Sequence, residues 1–212
     1  MDNVLSAEQL EACSVDLGAL NDGAGFAEND NGDANIRTDA VIWLHSDSRH
    51  GPGLHSVVAT LRALPASLED AGFQGPALGV PIRNQLARYR PGAYYTKHTD
   101  SPVNDNWFQN ILTHLSDATV MAREITMILY LNPHWKAEDG AGNLRIHCLP
   151  GAEKPIVEVE PLGGRLVVFQ SRQIVHEVVP TSLTRVALTL WAGGEACNDS
   201  MLWLRKIVPE IG

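Results

Sequence analysis

A chain of 212 residues, 44% hydrophobic and 19% charged, can close one domain around a full apolar core and is short for two. Its 25 acidic and 16 basic side chains leave a formal net charge of -9. With no run of Lys or Arg to form a basic stripe, nucleic acid is disfavoured as a partner, and a peptide or small molecule is favoured.

No apolar stretch approaches the ~20 residues of a membrane span, and the first thirty residues lack a basic segment leading into an apolar one, so neither a membrane anchor nor a secretory leader is expected. Cys13, Cys148 and Cys197 are odd in number and scattered. That suits a reducing compartment, cytoplasmic with the nucleus also open. The chain is expected to act as a monomer.

In chain order, residues 5–20 predict a short helix opened by Ser6 as N-cap, with Glu8 and Gln9 in its first turn. The Gly-, Asn- and Asp-rich stretch from Asn21 to Asn35 reads as a mobile loop. Residues 1–35 are therefore set apart from a main domain at 36–195 and a tail at 196–212. Ala40 to Leu44 predicts a strand. Val57, Val58, Leu61, Leu64 and Leu68 recur at helical spacing, with Pro65 predicting a kink or a break. From Gln85 onward the pattern changes to short strands, at 85–90, 94–100, 124–132, 143–148, 156–160, 165–170, 175–180 and 184–192. The fold class is mainly β, a sandwich or barrel with flanking α-helices.

Side chains two apart on a strand share a face, so His98 and Asp100 in Tyr95-Thr96-Lys97-His98-Thr99-Asp100 project side by side. Alone, such a triplet is weak evidence. Downstream, Pro180-Thr181-Ser182 predicts a hairpin that sets His176 and Arg185 on neighbouring strands facing one interior. Two His and one carboxylate make a three-donor metal site with open positions, suited to Fe(II) that must also take a chelating co-substrate and O2. In the last strand Arg185, Ala187, Thr189 and Trp191 alternate with Val186, Leu188 and Leu190. The apolar face predicts packing on the helices, and the Arg face a polar cavity whose guanidinium takes a carboxylate. Tyr130 could add a hydroxyl to that carboxylate.

These residues, in this order, resemble the prolyl 4-hydroxylases of the Egl-nine type, the hypoxia-inducible-factor prolyl hydroxylases and their bacterial and protist relatives. The resemblance runs from Ile36 to Gly193. It is carried by Ile36-Arg37-Thr38-Asp39 with Trp43, by Ala87 to Gly92 with Tyr95 and the His98/Asp100 pair, by Arg123 to Asn132 with Trp135, by Gly140 to Ile146, and by His176 to Arg185 with Trp191. It implies a double-stranded β-helix (jelly-roll) core. It implies His98, Asp100 and His176 as iron ligands, Arg185 and Tyr130 on the distal carboxylate of 2-oxoglutarate, and Tyr89 and Thr189 in the same pocket. Arg123 and Arg37 would stand on the substrate side. The implied reaction is 4-hydroxylation of a prolyl residue in a protein or peptide, with L-ascorbate as supporting reductant and a role in oxygen response.

The chain departs from this pattern between Ser101 and Ala122, where an insert carries Trp107, Phe108, Ile111 and Leu112, read either as a substrate lid or as a cap on the barrel. Two other readings stay open: the same chemistry on a small amino acid, and a jelly-roll sensor or binding module that does not turn over.

Overall fold

A computed structural model describes residues 1–22, 26–28, 33–45, 50–73, 78–79, 83–101, 123–136, 141–147 and 157–193. The insert at 102–122, with its four apolar side chains, and the tail lie outside the described residues. The elements are α1 (Ala7–Asp22), β1 (Ala27–Glu28), β2 (Ala40–His45), α2 (Pro52–Asp70), β3 (Arg83–Tyr89), β4 (Tyr95–His98), β5 (Arg123–Tyr130), β6 (Leu144–His147), β7 (Val157–Val159), β8 (Leu166–Gln170), β9 (Val175–Val178) and β10 (Arg185–Gly193).

Helix α1 opens as expected from Ser6. Its hydroxyl accepts from the Gln9 N–H at 3.2 Å while the Gln9 side chain accepts from the Ser6 N–H at 2.9 Å, a reciprocal capping box. Helix α2 begins on Pro52 and borrows its cap from α1: the Asp16 carboxylate accepts the Leu54 N–H at 2.9 Å. Gly51, at φ 97°, makes room for this, because a Cβ there would come within 2.1 Å of that carboxylate. Asp16→Ala is therefore expected to lower stability by about 1–2 kcal/mol, read as a reduced urea midpoint with unchanged slope. An unchanged midpoint would remove Asp16 from the account of how the helices dock.

Pro65 neither ends nor divides α2, which runs as one helix from 52 to 70. Proline forfeits the bond to the Leu61 carbonyl, but it lies on the buried face with Leu54, Val57, Val58 and Leu61, where packing keeps the segment helical.

Two antiparallel sheets form the core, one ordered β1-β2-β3-β10-β5-β8 and the other β4-β9-β6-β7. Strand β1 falls inside the stretch expected to be loop; its residues pair with Ala40 and Val41 of β2. Alternation then sorts the side chains. Leu86, Ile125, Met127, Leu129, Val186, Leu188 and Leu190 pack with Leu10, Cys13, Leu17, Val57 and Leu61 of the helices. Ala87, Tyr89, Ile128, Tyr130 and Ala187 face inward against Leu144 and Val178 of the smaller sheet. The result is a jelly roll with both helices on the outer face of the larger sheet.

The hairpin expected at Pro180 does not form. Strand β9 pairs with β4 and β6, whereas β10 pairs with β3 and β5, so residues 179–184 carry the chain from one sheet to the other. Thr181 anchors the crossing. Its N–H donates to the Ala93 carbonyl at 3.2 Å, its own carbonyl accepts from the Gly92 N–H at 2.7 Å, and its hydroxyl donates to the Leu183 carbonyl at 2.6 Å. His176 and Arg185 still face a common interior, from opposite sheets rather than from neighbouring strands.

Candidate active site

A cavity of about 620 Å³ lies between the sheets, and eight of the nine residues singled out in the sequence line it: Arg37, Tyr89, His98, Asp100, Arg123, His176, Arg185 and Thr189. The ninth, Tyr130, is fully buried under Arg185, whose guanidinium carbon lies 4.9 Å from the Tyr130 ring centre and 4.8 Å from that of Tyr89.

His98 and His176 are direct cross-strand partners on β4 and β9. Asp100 lies two residues beyond the end of β4, with one carboxylate oxygen 3.6 Å from His98 Nε2 and the other 3.8 Å from His176 Nε2. One donor atom from each residue lies within 4.8 Å of the other two, close enough to share one metal ion. Both imidazoles are held through the far nitrogen: His98 Nδ1 lies 2.8 Å from the Thr96 carbonyl and His176 Nδ1 3.1 Å from that of Ile174. A carbonyl only accepts, so Nδ1 carries the proton and Nε2 keeps its lone pair for a metal.

The electrostatics agree. Burial lowers the His176 pKa to about 4, which keeps the ring neutral near pH 7. Burial works to raise the Asp100 carboxyl, but the adjoining His98 and His176 rings and the hydrogen bond from the Thr126 hydroxyl outweigh it. The group stays ionised, well below the ordinary carboxylate range.

From the larger sheet Arg185 enters the same cavity and is 1% exposed. Among the described residues neither its Nε nor the Tyr130 hydroxyl has a hydrogen-bond partner. A guanidinium and a phenol left so are expensive unless an anion fits between them. Burial raises the Tyr130 hydroxyl pKa and Arg185 pulls against it, leaving the phenol protonated and able to donate.

Two further arginines line the cavity. Arg37 is paired with buried Asp39 through Nε at 2.7 Å and lies 4.3 Å above the Tyr95 ring, which in turn stacks on His98 with centres 3.6 Å apart. Arg123 lies 3.7 Å above the Trp191 ring and donates to the Asp100 carbonyl at 3.3 Å.

Three side chains at the site carried no role in the sequence reading. Thr126 donates to the Asp100 carboxylate at 2.7 Å, Ser171 lies 2.8 Å behind it, and Tyr95 supports His98. Thr126 could have been found, since it alternates with Ile128 and Tyr130 on the inward face of β5. Ser171 sits in a turn, where no periodicity points inward.

An open three-donor metal site walled by two antiparallel sheets, with a buried arginine opposite, defines an oxygenase-type jelly roll. The chain belongs to the 2OG-Fe(II) oxygenase superfamily, whose family model matches residues 84–193, from β3 to the end of β10. By its name that superfamily works with Fe(II) and 2-oxoglutarate, and as oxygenases its members use O2.

The resemblance to Egl-nine proteins holds along most of the chain. It is 38% identical over 187 residues to prolyl hydroxylase EGLN3 of Homo sapiens, covering 82% of this chain and 66% of that protein. A Pseudomonas putida prolyl-4-hydroxylase structure superimposes with a TM-score of 0.69 at 26% identity, covering 92% of this chain and 91% of that one. A Trichoplax adhaerens prolyl hydroxylase, solved with a hypoxia-inducible-factor peptide fragment, gives a TM-score of 0.73 at 24% identity, over 92% and 82% of the two chains, and shares the fold. The chain spans 47% of the length of Egl nine homolog 1 from Rattus norvegicus.

Proposed function

We propose that this chain hydroxylates a prolyl residue of a protein or peptide at C4, with His98, Asp100 and His176 holding Fe(II) and Arg185 with Tyr130 holding the distal carboxylate of 2-oxoglutarate. The observation that carries the reading is a pair of polar elements brought to one cavity from opposite sheets. From one come two Nε2 lone pairs that lie with a carboxylate within 4.8 Å of one another; from the other comes a buried guanidinium, backed by a phenol, whose Nε and hydroxyl lack partners among the described residues. A five-carbon dicarboxylate chelating a metal with its keto acid end needs a cationic fork for its other end.

When bound, the iron and co-substrate supply the oxidation: O2 and 2-oxoglutarate give succinate and CO2, and one oxygen atom goes to the substrate carbon. The chain's own residues supply binding and position. Asp100 brings negative charge and the two neutral imidazoles bring σ-donors. Tyr89 and Thr189 flank the co-substrate. Arg37 and Arg123, each stacked on an aromatic ring, stand on the substrate side. The ring stack holds each guanidinium in place on the cavity wall.

L-ascorbate is the supporting reductant in this reading, and oxygen response its biological setting. The chain acts as a monomer. Buried Cys13 is a free thiol, in keeping with a reducing cytoplasmic setting, with the nucleus also open. No helix of the described residues is long and apolar enough to cross a membrane.

The test is to incubate the protein anaerobically with Fe(II), 2-oxoglutarate and a library of proline-containing peptides, admit O2, and measure succinate and peptide mass. The expected result is peptide-dependent succinate formation with one added oxygen located on a proline. Succinate driven by a free amino acid and by no peptide would transfer the assignment to a small-molecule oxygenase. Metal binding with no succinate under any condition would make the chain a binding module.

A further inference from the structure

The triad is drawn from two different sources of rigidity. His98 and His176 are locked to each other by pairing of β4 with β9. Asp100 has no such support: β4 ends at His98, and the carboxylate lies two residues further on. Support for Asp100 and Ser101 comes instead from the opposite sheet and the turn that leaves it. Thr126 on β5 donates its hydroxyl to Asp100 Oδ2 at 2.7 Å. Arg123, at the start of the same strand, donates to the Asp100 carbonyl at 3.3 Å. The Ser101 N–H donates to the Ser171 carbonyl at 3.2 Å, and the Ser171 N–H donates to Glu124 of β5 at 2.9 Å. Ser171 Oγ lies 2.8 Å from Thr126 Oγ1.

From this geometry we infer that Thr126 and Ser171 form a two-hydroxyl relay that positions Asp100 for single-oxygen metal ligation. The inference rests on the reading above, that His98, Asp100 and His176 hold the metal.

The direction of the relay follows from donor counting. A metal-bound carboxylate only accepts, so the single Thr126 hydrogen points at Asp100. Thr126 Oγ1 must then accept from Ser171, whose hydroxyl is the outer donor. Both side chains belong to fully buried residues, and so does Ser101. Water therefore does not compete, and each bond polarises the next toward the carboxylate. Occupying Oδ2 leaves Oδ1, 3.6 Å from His98 Nε2, as the oxygen offered to the metal. A carboxylate free to turn could present both oxygens and take up a position that the co-substrate or O2 needs. A buried Thr and Ser that only satisfied each other would have no reason to aim their chain at Asp100. Valine would fill the same volume on β5 without that hydroxyl to satisfy.

Mn(II) serves as a redox-silent probe, titrated by electron paramagnetic resonance into purified parent, Thr126→Val, Thr126→Ser, Ser171→Ala and the Thr126→Val/Ser171→Ala double variant. Thr126→Val is expected to raise the Mn(II) Kd by about 10- to 100-fold, the usual cost of losing a group that orients a ligand. Thr126→Ser restores the hydroxyl and is expected to remain within about threefold of the parent. Ser171→Ala gives a smaller rise than Thr126→Val. It adds nothing in the double variant, because the outer donor acts only through the inner one.

A folded Thr126→Val variant with the parent's Kd overturns the relay, and so does a Ser171→Ala effect that persists undiminished in the double variant. If Thr126→Val does not fold, Ser171→Ala decides: an unchanged Kd overturns the relay, and a raised one supports it. A parent that fails to bind Mn(II) overturns the triad and the relay together. A parent that binds, with every variant equal to it, overturns the relay alone.

Discussion

His176→Ala is expected to abolish peptide-dependent succinate formation and to lower metal affinity by more than ~100-fold, exceeding the 10- to 100-fold typical of groups that merely orient a ligand. The ring supplies one of only three donors, and no other His, Cys, Asp or Glu among the described residues joins the cluster to replace it. The metal-free protein should survive the change. The His176 ring is held by a hydrogen bond to the Ile174 carbonyl and by ring contacts to Phe169 and His98, with the Asp100 carboxylate nearby, and it borders the cavity rather than the helix-packed core. Losing these contacts costs about 1–2 kcal/mol of folding stability, a modest part of the total for a domain of this size. Fe(II) affinity, succinate production and metal-free melting temperature measured on parent and variant decide the matter. Equal turnover in the two proteins would sink the assignment of the triad.

Arg185→Lys separates the two polar elements of the cavity. The charge remains, but the planar fork and its parallel N–H donors are lost, and an ammonium makes poorer contact with the Tyr89 and Tyr130 rings. Hydrogen bonds to a charged partner contribute about 1.5–3 kcal/mol, so the 2-oxoglutarate requirement should rise by about one to two orders of magnitude. Mn(II) affinity without co-substrate should stay at the parent value, because Arg185 is not one of the three metal donors. An unchanged 2-oxoglutarate requirement would assign Arg185 to packing. Loss of Mn(II) affinity as well would mean that the substitution had disturbed the sheets.

Much of this was legible in the sequence wherever a local periodicity and a burial rule coincide. The split of β10 into Val186/Leu188/Leu190 against Arg185/Ala187/Thr189/Trp191 follows from alternation alone, and the two faces meet the helices and the cavity as expected. His98 and Asp100 converge as the two-residue spacing suggests. They do so although Asp100 lies past the strand, since the major sheet supplies the support the strand does not.

The misreadings share a cause. Pro180-Thr181-Ser182 signals a turn, and turn chemistry does not say which sheet the next strand will join; here it crosses to the other one. Pro65 reads as a break from local sterics, and burial of its helix face overrides them. Ala27 and Glu28 sit in a composition that reads as loop, yet they pair with β2, because sheet edges accept short segments of almost any kind. Thr126 and Ser171 are ordinary hydroxyls whose meaning arises only when β5, β8 and the end of β4 are brought together, a tertiary fact with no local signature.

All nine residues of β10 are buried, and the strand separates two rooms of opposite character. A slip of one residue against β3 or β5 would exchange their furniture: the Arg185 guanidinium would enter the leucine-lined space beneath the helices, and Val186 and Leu188 would face the cavity. An unpaired guanidinium in hydrocarbon costs far more than such a slip could recover. The residue read here as the anchor for a co-substrate thus also polices strand pairing, so that a chain folded in the wrong register is rejected by the same charge that would otherwise do its chemistry.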